Sequence, residues 1–388
     1  MKLVRILGSA VVLAFLASSA ASAKEAGGFM VWLGRDTTSV ERYTRDDAKL
    51  VVDQVGRSPR VLTRHFEYEF ASGGAFKSLA VTVASPSAPA GSPPLQGIQV
   101  RPNGDSLVVE VRRDTALQVI RVGGAKGALV VSLSSPWTMY EAATMKLAGG
   151  KSDSLRLPMY ILGAQSMDNM TVRRLGRDSM EIVNVEGVYH IHVDKTGHVL
   201  HVVPIKGTAQ FTVERQPNVD VAAFTAQYSA REKAAGAMGQ LSPRDTVNAE
   251  AGGAKLWIDY SRPAKRGRAI YGGVVPFGEV WRTGANAATQ FRTDKALKMG
   301  DAVVPAGMYT LWTIPSPTGW RLIINSETGE WGTEHKAEKD LFTLDMSVST
   351  LSQSIEKFLI SVAPGTGGGT LNFDWDTTRA SIPFTVQP

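Results

Sequence analysis

Apolar and polar residues alternate with a period of two along most of the chain, which predicts strands rather than helices. The alternation is clear over 61–70 and 76–83, around Ala71-Ser-Gly-Gly74, and resumes at 97–101, 107–112, 117–122 and 128–133. Asn103-Gly104 predicts a hairpin there, because both residues tolerate positive φ. The Pro- and Ser-rich stretch 85–94 cannot continue a sheet and is read as a loop. After Gly149-Gly150 a second run predicts strands over 170–174, 180–183, 188–193, 198–203 and 210–214, with turn residues between them. The period then changes. Asp220 is a good N-cap, Val221, Phe224, Tyr228 and Ala235 recur near one helical face, and Gly236 and Gly239 end the pattern. From Ser242 to the end the period-two pattern returns in many short segments, which predicts a sandwich or jelly roll.

The expected fold is therefore all-β. An antiparallel domain over 24–217, a strongly curved sheet or half-barrel, leads through a linking helix within 218–241 to a β-sandwich over 242–388. Residues 1–23 read as a signal peptide: Lys2 and Arg5 precede a short apolar run from Ile6 to Leu16, and Ala21-Ser22-Ala23 offers a cleavage site before Lys24. The run is short for a membrane span. The expectation is an exported protein, periplasmic or extracellular, with no transmembrane segment after cleavage.

The absence of cysteine removes disulfides, thiolate metal sites and cysteine nucleophiles together. Stability must come from the packed core. The formal charge of +6 is a small excess over many charges of both signs, and no basic run marks a nucleic-acid partner.

The densest chemistry lies in 258–286. Tyr260, Arg262, Arg268, Trp281, Arg282 and Asn286 are spaced by Gly and Pro residues that fix turns. The arginines can offer forked donors to a carboxylate, phosphate or sulfate, and Trp281 and Tyr260 can offer flat apolar faces. The competing reading is structural: each arginine ties the long loop to the sheet through Asp259, Glu279 or Asp294. The ordered segments Tyr260-Ser-Arg-Pro263, Arg266-Gly-Arg268, Val275-Pro-Phe-Gly278, Val280-Trp-Arg-Thr-Gly-Ala-Asn286 and Ala306-Gly-Met-Tyr309 resemble the bacterial exported family catalogued as domain of unknown function 2911. Ile314-Pro315, Trp320, Asn325 and Trp331-Gly332 fit the same pattern. The resemblance covers 242–388 and implies a secreted β-sandwich without an established activity. Ala287 stands where the resemblance implies an acidic residue.

Four of the six histidines lie between His190 and His201. His190 and His192 share one face of a strand. Depending on the register after Asp194-Lys-Thr-Gly197, either His201 or His198 joins them, which would suit zinc or copper. The alternative is a polar outer face that happens to use histidine. No Gly-x-Ser-x-Gly elbow and no His-Glu-x-x-His helix is present. Asp374 and Asp376 share a face but carry no further sign of paired-carboxylate chemistry. Non-catalytic binding of an envelope glycan or acidic small molecule, with no cofactor, is the leading expectation. A metal-binding or metal-dependent protein and a purely structural or interaction module are the alternatives.

Overall fold

The computed structural model describes residues 24–132, 135–207 and 210–387. The signal-peptide reading of 1–23 lies outside the described residues. Among these, two sheets account for nearly all the regular structure, and neither closes into a barrel. In the first sheet of fifteen strands, Ala116–Gly123 forms one edge and strands follow in sequence order back to Glu25–Leu33. There Thr212–Gln216 pairs with Glu25–Leu33, and the sheet continues through Val199–Gly207, Gly187–Val193, Ser179–Asn184, Asp168–Arg174 and Ser154–Ile161 to Leu129–Val131. The last pair is parallel and all the others are antiparallel.

That parallel step follows from a helix, α1 (Trp137–Ala148), which carries the chain from Leu129–Val131 across to Ser154–Ile161. The period-two reading did not include it. Eight of its twelve residues are buried, so no polar stripe marks a helical period. Its N-cap, Pro136, has no side chain able to cap. The cap comes instead from Glu41 on the strand Asp36–Arg45, whose Oε1 accepts the Trp137 N–H at 2.7 Å. Trp137 and Tyr140 pack against each other and Trp137 meets Tyr189 edge-on, within one continuous core that also includes Phe29, Phe66, Tyr68 and Ile191.

Glu41 is fully buried. Burial pushes its pKa up to about 8, against hydrogen bonds from the backbone of Trp137 and Thr138 and from Gln54. Burial, and then the charge of this carboxyl, raise the pKa of Tyr68. A carboxyl with a raised folded pKa contributes stability that is complete below its unfolded value and is lost as pH rises through the folded one. Melting of the wild type should therefore fall between about pH 4.5 and 8 more steeply than that of Glu41→Gln, which keeps the acceptor for Trp137 but cannot ionise. Equal slopes in the two proteins would show that Glu41 is already ionised in the fold.

Helix α2 (Val221–Ala235) links the domains, with Asp220 accepting the Ala223 N–H at 2.9 Å. Its apolar side, Val221, Phe224 and Tyr228, packs on Val40, Val55 and Val61 of the first domain. The second sheet runs in the order Arg244–Ala251, Ala254–Ser261, Thr289–Thr293, Gly307–Ile314, Trp320–Asn325, Asp340–Gly365, Gly368–Val386, Leu297–Met299, Ala302–Val304. Two of these strands, Asp340–Gly365 and Gly368–Val386, are far longer than the short segments read from the sequence. Irregularities in their pairing fall between Thr350 and Ile355 and between Ile355 and Leu359. They carry the strands from one layer of a sandwich into the other. Ile258, Phe291, Leu311 and Leu322 of one layer thus share a core with Phe358, Phe373, Trp375 and Ile382 of the other.

Candidate functional site

Between the domains lies a cavity of about 690 Å³, lined by the turn and strand ends around 183–188, by Lys206, Gly207, Gln210 and Phe211, by 240–242 from the linker, and by the 263–286 loop and 331–333. Its mouth carries exposed apolar side chains: Val185 is 42 %, Val280 40 % and Trp331 39 % exposed. The charged lining residues are Lys206, Arg268, Arg282 and Glu279.

The loop is held by backbone bonds rather than by regular structure. Trp281 exchanges hydrogen bonds with Thr313 at 2.7 and 2.8 Å, and Gly332 N–H donates to Asn286 at 3.0 Å. Three of its residues other than glycine have left-handed φ: Arg266 at 50°, Thr283 at 52° and Asn286 at 59°. Asn tolerates this, but a β-branched residue there is strained by roughly 1–3 kcal/mol. Thr283 is fully buried, and its carbonyl accepts the Thr289 hydroxyl at 2.7 Å, so the fold overdetermines the turn. The turn directly follows Arg282. Gly332 completes the placement, since a Cβ there would collide with the Arg282 Cδ.

Arg282 is half-buried and no carboxylate pairs with it among the described residues. Its terminal nitrogens make only long contacts to carbonyls, Gly332 at 3.5 Å and Gly207 of the other domain at 3.4 Å. Its buried Nε has no acceptor among the described residues. Burial alone pushes its pKa down to about 10. Arg268 is also pushed down to about 10, first by burial and then by the neighbouring Arg266. Arg268 differs in being tied down, donating to the carbonyls of Lys265 at 3.1 Å and Ala264 at 2.6 Å.

Of the six residues singled out in the sequence, Arg268, Trp281, Arg282 and Asn286 line this cavity. Tyr260 and Arg262 do not. Tyr260 is fully buried, its hydroxyl accepting the Ile360 N–H at 3.0 Å. The alternation Leu256, Ile258, Tyr260 already placed it on the core face. Arg262 pairs with Asp245 at 2.9 Å and donates to the Phe358 carbonyl at 3.0 Å. None of the three acids considered from sequence is its partner; Asp259 pairs with Arg244 instead. Trp281 belongs to both settings. One edge reaches the cavity, while its ring stacks on Trp375 with centroids 6.0 Å apart and its Nε1–H donates to Gly284 at 3.2 Å. Lys206, Gln210 and Phe211 come to the cavity from the first domain and had no local motif to mark them.

The histidine hairpin has the register that sets His192 opposite His201, with an irregularity before Val193. His190, His192 and His201 thus share the outer face. His190 lies 3.6 Å from Glu181 and His201 3.7 Å from Glu214. Among the described residues, the group whose ligand atoms all lie within 4.8 Å of one another is a different one, Glu25, Glu141 and His198. There Arg45 and Arg215 already neutralise the carboxylates. His198 is turned towards Asp194, 3.0 Å away. Burial works against the charge of Asp194, but hydrogen bonds from Thr196 and His198 outweigh it and hold its pKa well below the usual range. The other ring nitrogen of His198 lies 3.5 Å from Glu25, so the group is joined into an ion-pair network.

Residues 242–384 match the family described as Protein of unknown function (DUF2911). No curated protein matches the chain. Among solved structures, a DUF1089 family protein from Pseudomonas aeruginosa is similar at 13 % identity over 43 % of this chain and 90 % of that one, with a TM-score of 0.31. A beta-barrel-like protein of domain of unknown function DUF1849 from Brucella abortus is similar at 8 % identity over 50 % of this chain and 95 % of that one, with a TM-score of 0.34.

Proposed function

We propose that this protein binds an acidic small molecule, or an acidic sugar of the cell envelope, in the cavity between its domains, without catalysing a reaction on it. The observation that carries this reading is Arg282. A guanidinium drawn out of water with no counter-ion is costly. A carboxylate, phosphate or sulfate entering the cavity would supply the missing charge and an acceptor for Nε. Arg268 and Lys206 add to the positive field, and Trp281, Phe211 and the apolar mouth offer contact to the rest of the molecule. Among the described lining residues no nucleophile, base and orienting group stand together.

Binding should be seen as a ligand-dependent rise in melting temperature across a panel of carboxylates, phosphates, sulfates and uronic-acid sugars. Arg282→Lys keeps the charge but loses the fork. It should weaken binding roughly tenfold or more, as loss of a charge-assisted hydrogen bond does. Its melting temperature without ligand should stay near that of the wild type, because Arg282 makes no ion pair to lose. Full binding by Arg282→Lys would remove the argument.

We place this activity outside the cytoplasm. Among the described residues the first strand is Glu25–Leu33, so cleavage before Lys24 would leave every described element intact. Amino-terminal sequencing of protein recovered from the periplasm or medium should give Lys24 first; an intact Met1 there would refute export by cleavage.

A further inference from the structure

A second, smaller cavity of about 220 Å³ lies where the turn after Glu25–Leu33, the end of the strand Lys49–Gly56 and helix α2 meet. Three arginines line it: Arg35, Arg57 and Arg231. Its single acidic lining residue, Asp36, is already paired at 2.6 Å with Arg266, which reaches over from the second domain. Arg57 is 9 % exposed, yet no carboxylate pairs with it among the described residues. One of its terminal nitrogens donates to the Thr37 carbonyl at 2.9 Å, and its guanidinium lies over the Tyr228 ring at 5.2 Å. Arg35 and Arg231 are exposed and likewise have no ion-pair partner among the described residues. Burial lowers the pKa of Arg57 and the charge of Arg231 lowers it further; Tyr228 and Asp36 offset this only in part, so the two cations face each other at a cost.

Arg57 and Arg231, facing each other across a small cavity that Arg35 also lines, repel one another unless an anion sits between them. We propose that this cavity is a binding site for a tetrahedral oxyanion, a phosphate group held by Arg35, Arg57 and Arg231. The forked donors of Arg57 and Arg231 suit its oxygens, and a volume of this size admits one such group with a short substituent. The position gives the site a consequence. Arg57 belongs to the first domain and Arg231 to the linking helix. Asp36, beside them, holds Arg266 of the second domain, while the Arg35 N–H donates to the Arg266 carbonyl at 3.0 Å. A Cβ on Gly34 would collide with that carbonyl, so the turn sits flush on the second domain. An anion bound there fastens the helix to the turn on which the domains meet.

The test compares inorganic phosphate with chloride at matched ionic strength and pH 7.5, by calorimetric titration and thermal melting of the full mature chain. Phosphate should bind saturably and raise the melting temperature. Arg231→Gln, at an exposed position, should melt like the wild type in chloride and lose at least roughly tenfold in phosphate affinity. Arg282→Gln should keep the phosphate response, since that residue serves the larger cavity. Tighter binding of glycerol phosphate than of inorganic phosphate would support an organic phosphate as the occupant, and the reverse order would support the free anion. A wild type without saturable binding, or an Arg231→Gln protein that binds phosphate as the wild type does, would overturn the proposal. So would loss of the response in Arg282→Gln alone.

Discussion

Trp281→Ala should cost about 3–5 kcal/mol of folding stability, the range for removing a large aromatic side chain from a packed core. The residue is 8 % exposed and lies among Tyr271, Trp320, Phe358 and Trp375, with ring centroids 5.1–6.3 Å from its own. Its backbone also fixes the loop to Thr313 on the neighbouring strand. Urea unfolding would measure the loss. A loss below about 1 kcal/mol would mean that the aromatic cluster closes over the gap or that the ring contributes little to it. Because the effect on folding is large, a binding defect in this variant says nothing about ligand contact. Arg282 is the residue that separates the two.

The second large effect belongs to the first domain. Glu141 on α1 has no exposed side-chain surface and accepts the Val199 N–H at 2.8 Å. It pairs with Arg45 at 3.0 Å and with Arg215. Arg45 has a second carboxylate in Glu25 at 2.8 Å, but Arg215 has no other among the described residues. Glu141→Ala therefore leaves Arg215 charged and little exposed, with the Tyr43 hydroxyl and the Val199 carbonyl as its hydrogen-bond partners and the Phe29 ring beneath it. Breaking one side of such a pair costs about 3–5 kcal/mol. Denaturant unfolding of Glu141→Ala beside Arg215→Ala and the double variant would separate the pair from the cost of the stranded cation. Equal stability of Glu141→Ala and wild type would show that water already reaches this network.

Much of the architecture was legible because strand alternation is a local property. The large, mainly antiparallel first sheet, the linking helix capped by Asp220 and the sandwich could all be read from spacing and turn residues. Helix α1 could not, because its cap is supplied by a residue 96 positions away and nearly every face is buried. The same limit applied to the site. The loop 258–286 was conspicuous, but which of its residues face outward depends on local backbone geometry. The left-handed turn at Thr283 follows Arg282 into the cavity, whereas the strand period carries Tyr260 into the core and Asp245 draws Arg262 aside. The opposite wall, with Lys206 and Phe211, belongs to another domain and carries no motif. The histidines show the reverse case: register was foreseeable as one of two choices, but shared facing did not bring the three rings into a common ligand group.

The central claim is that Arg282 awaits an anion. Selective labelling of arginine Nε in the mature chain, with Arg282→Lys to assign the signal, would observe that nitrogen directly. Titration with the anion that binds best should move the Arg282 Nε–H resonance as a new acceptor engages it, with the same affinity found by calorimetry and with Arg262 unmoved. If the anion binds while the Arg282 resonance stays in place, the cavity between the domains is not the site and the account is contradicted.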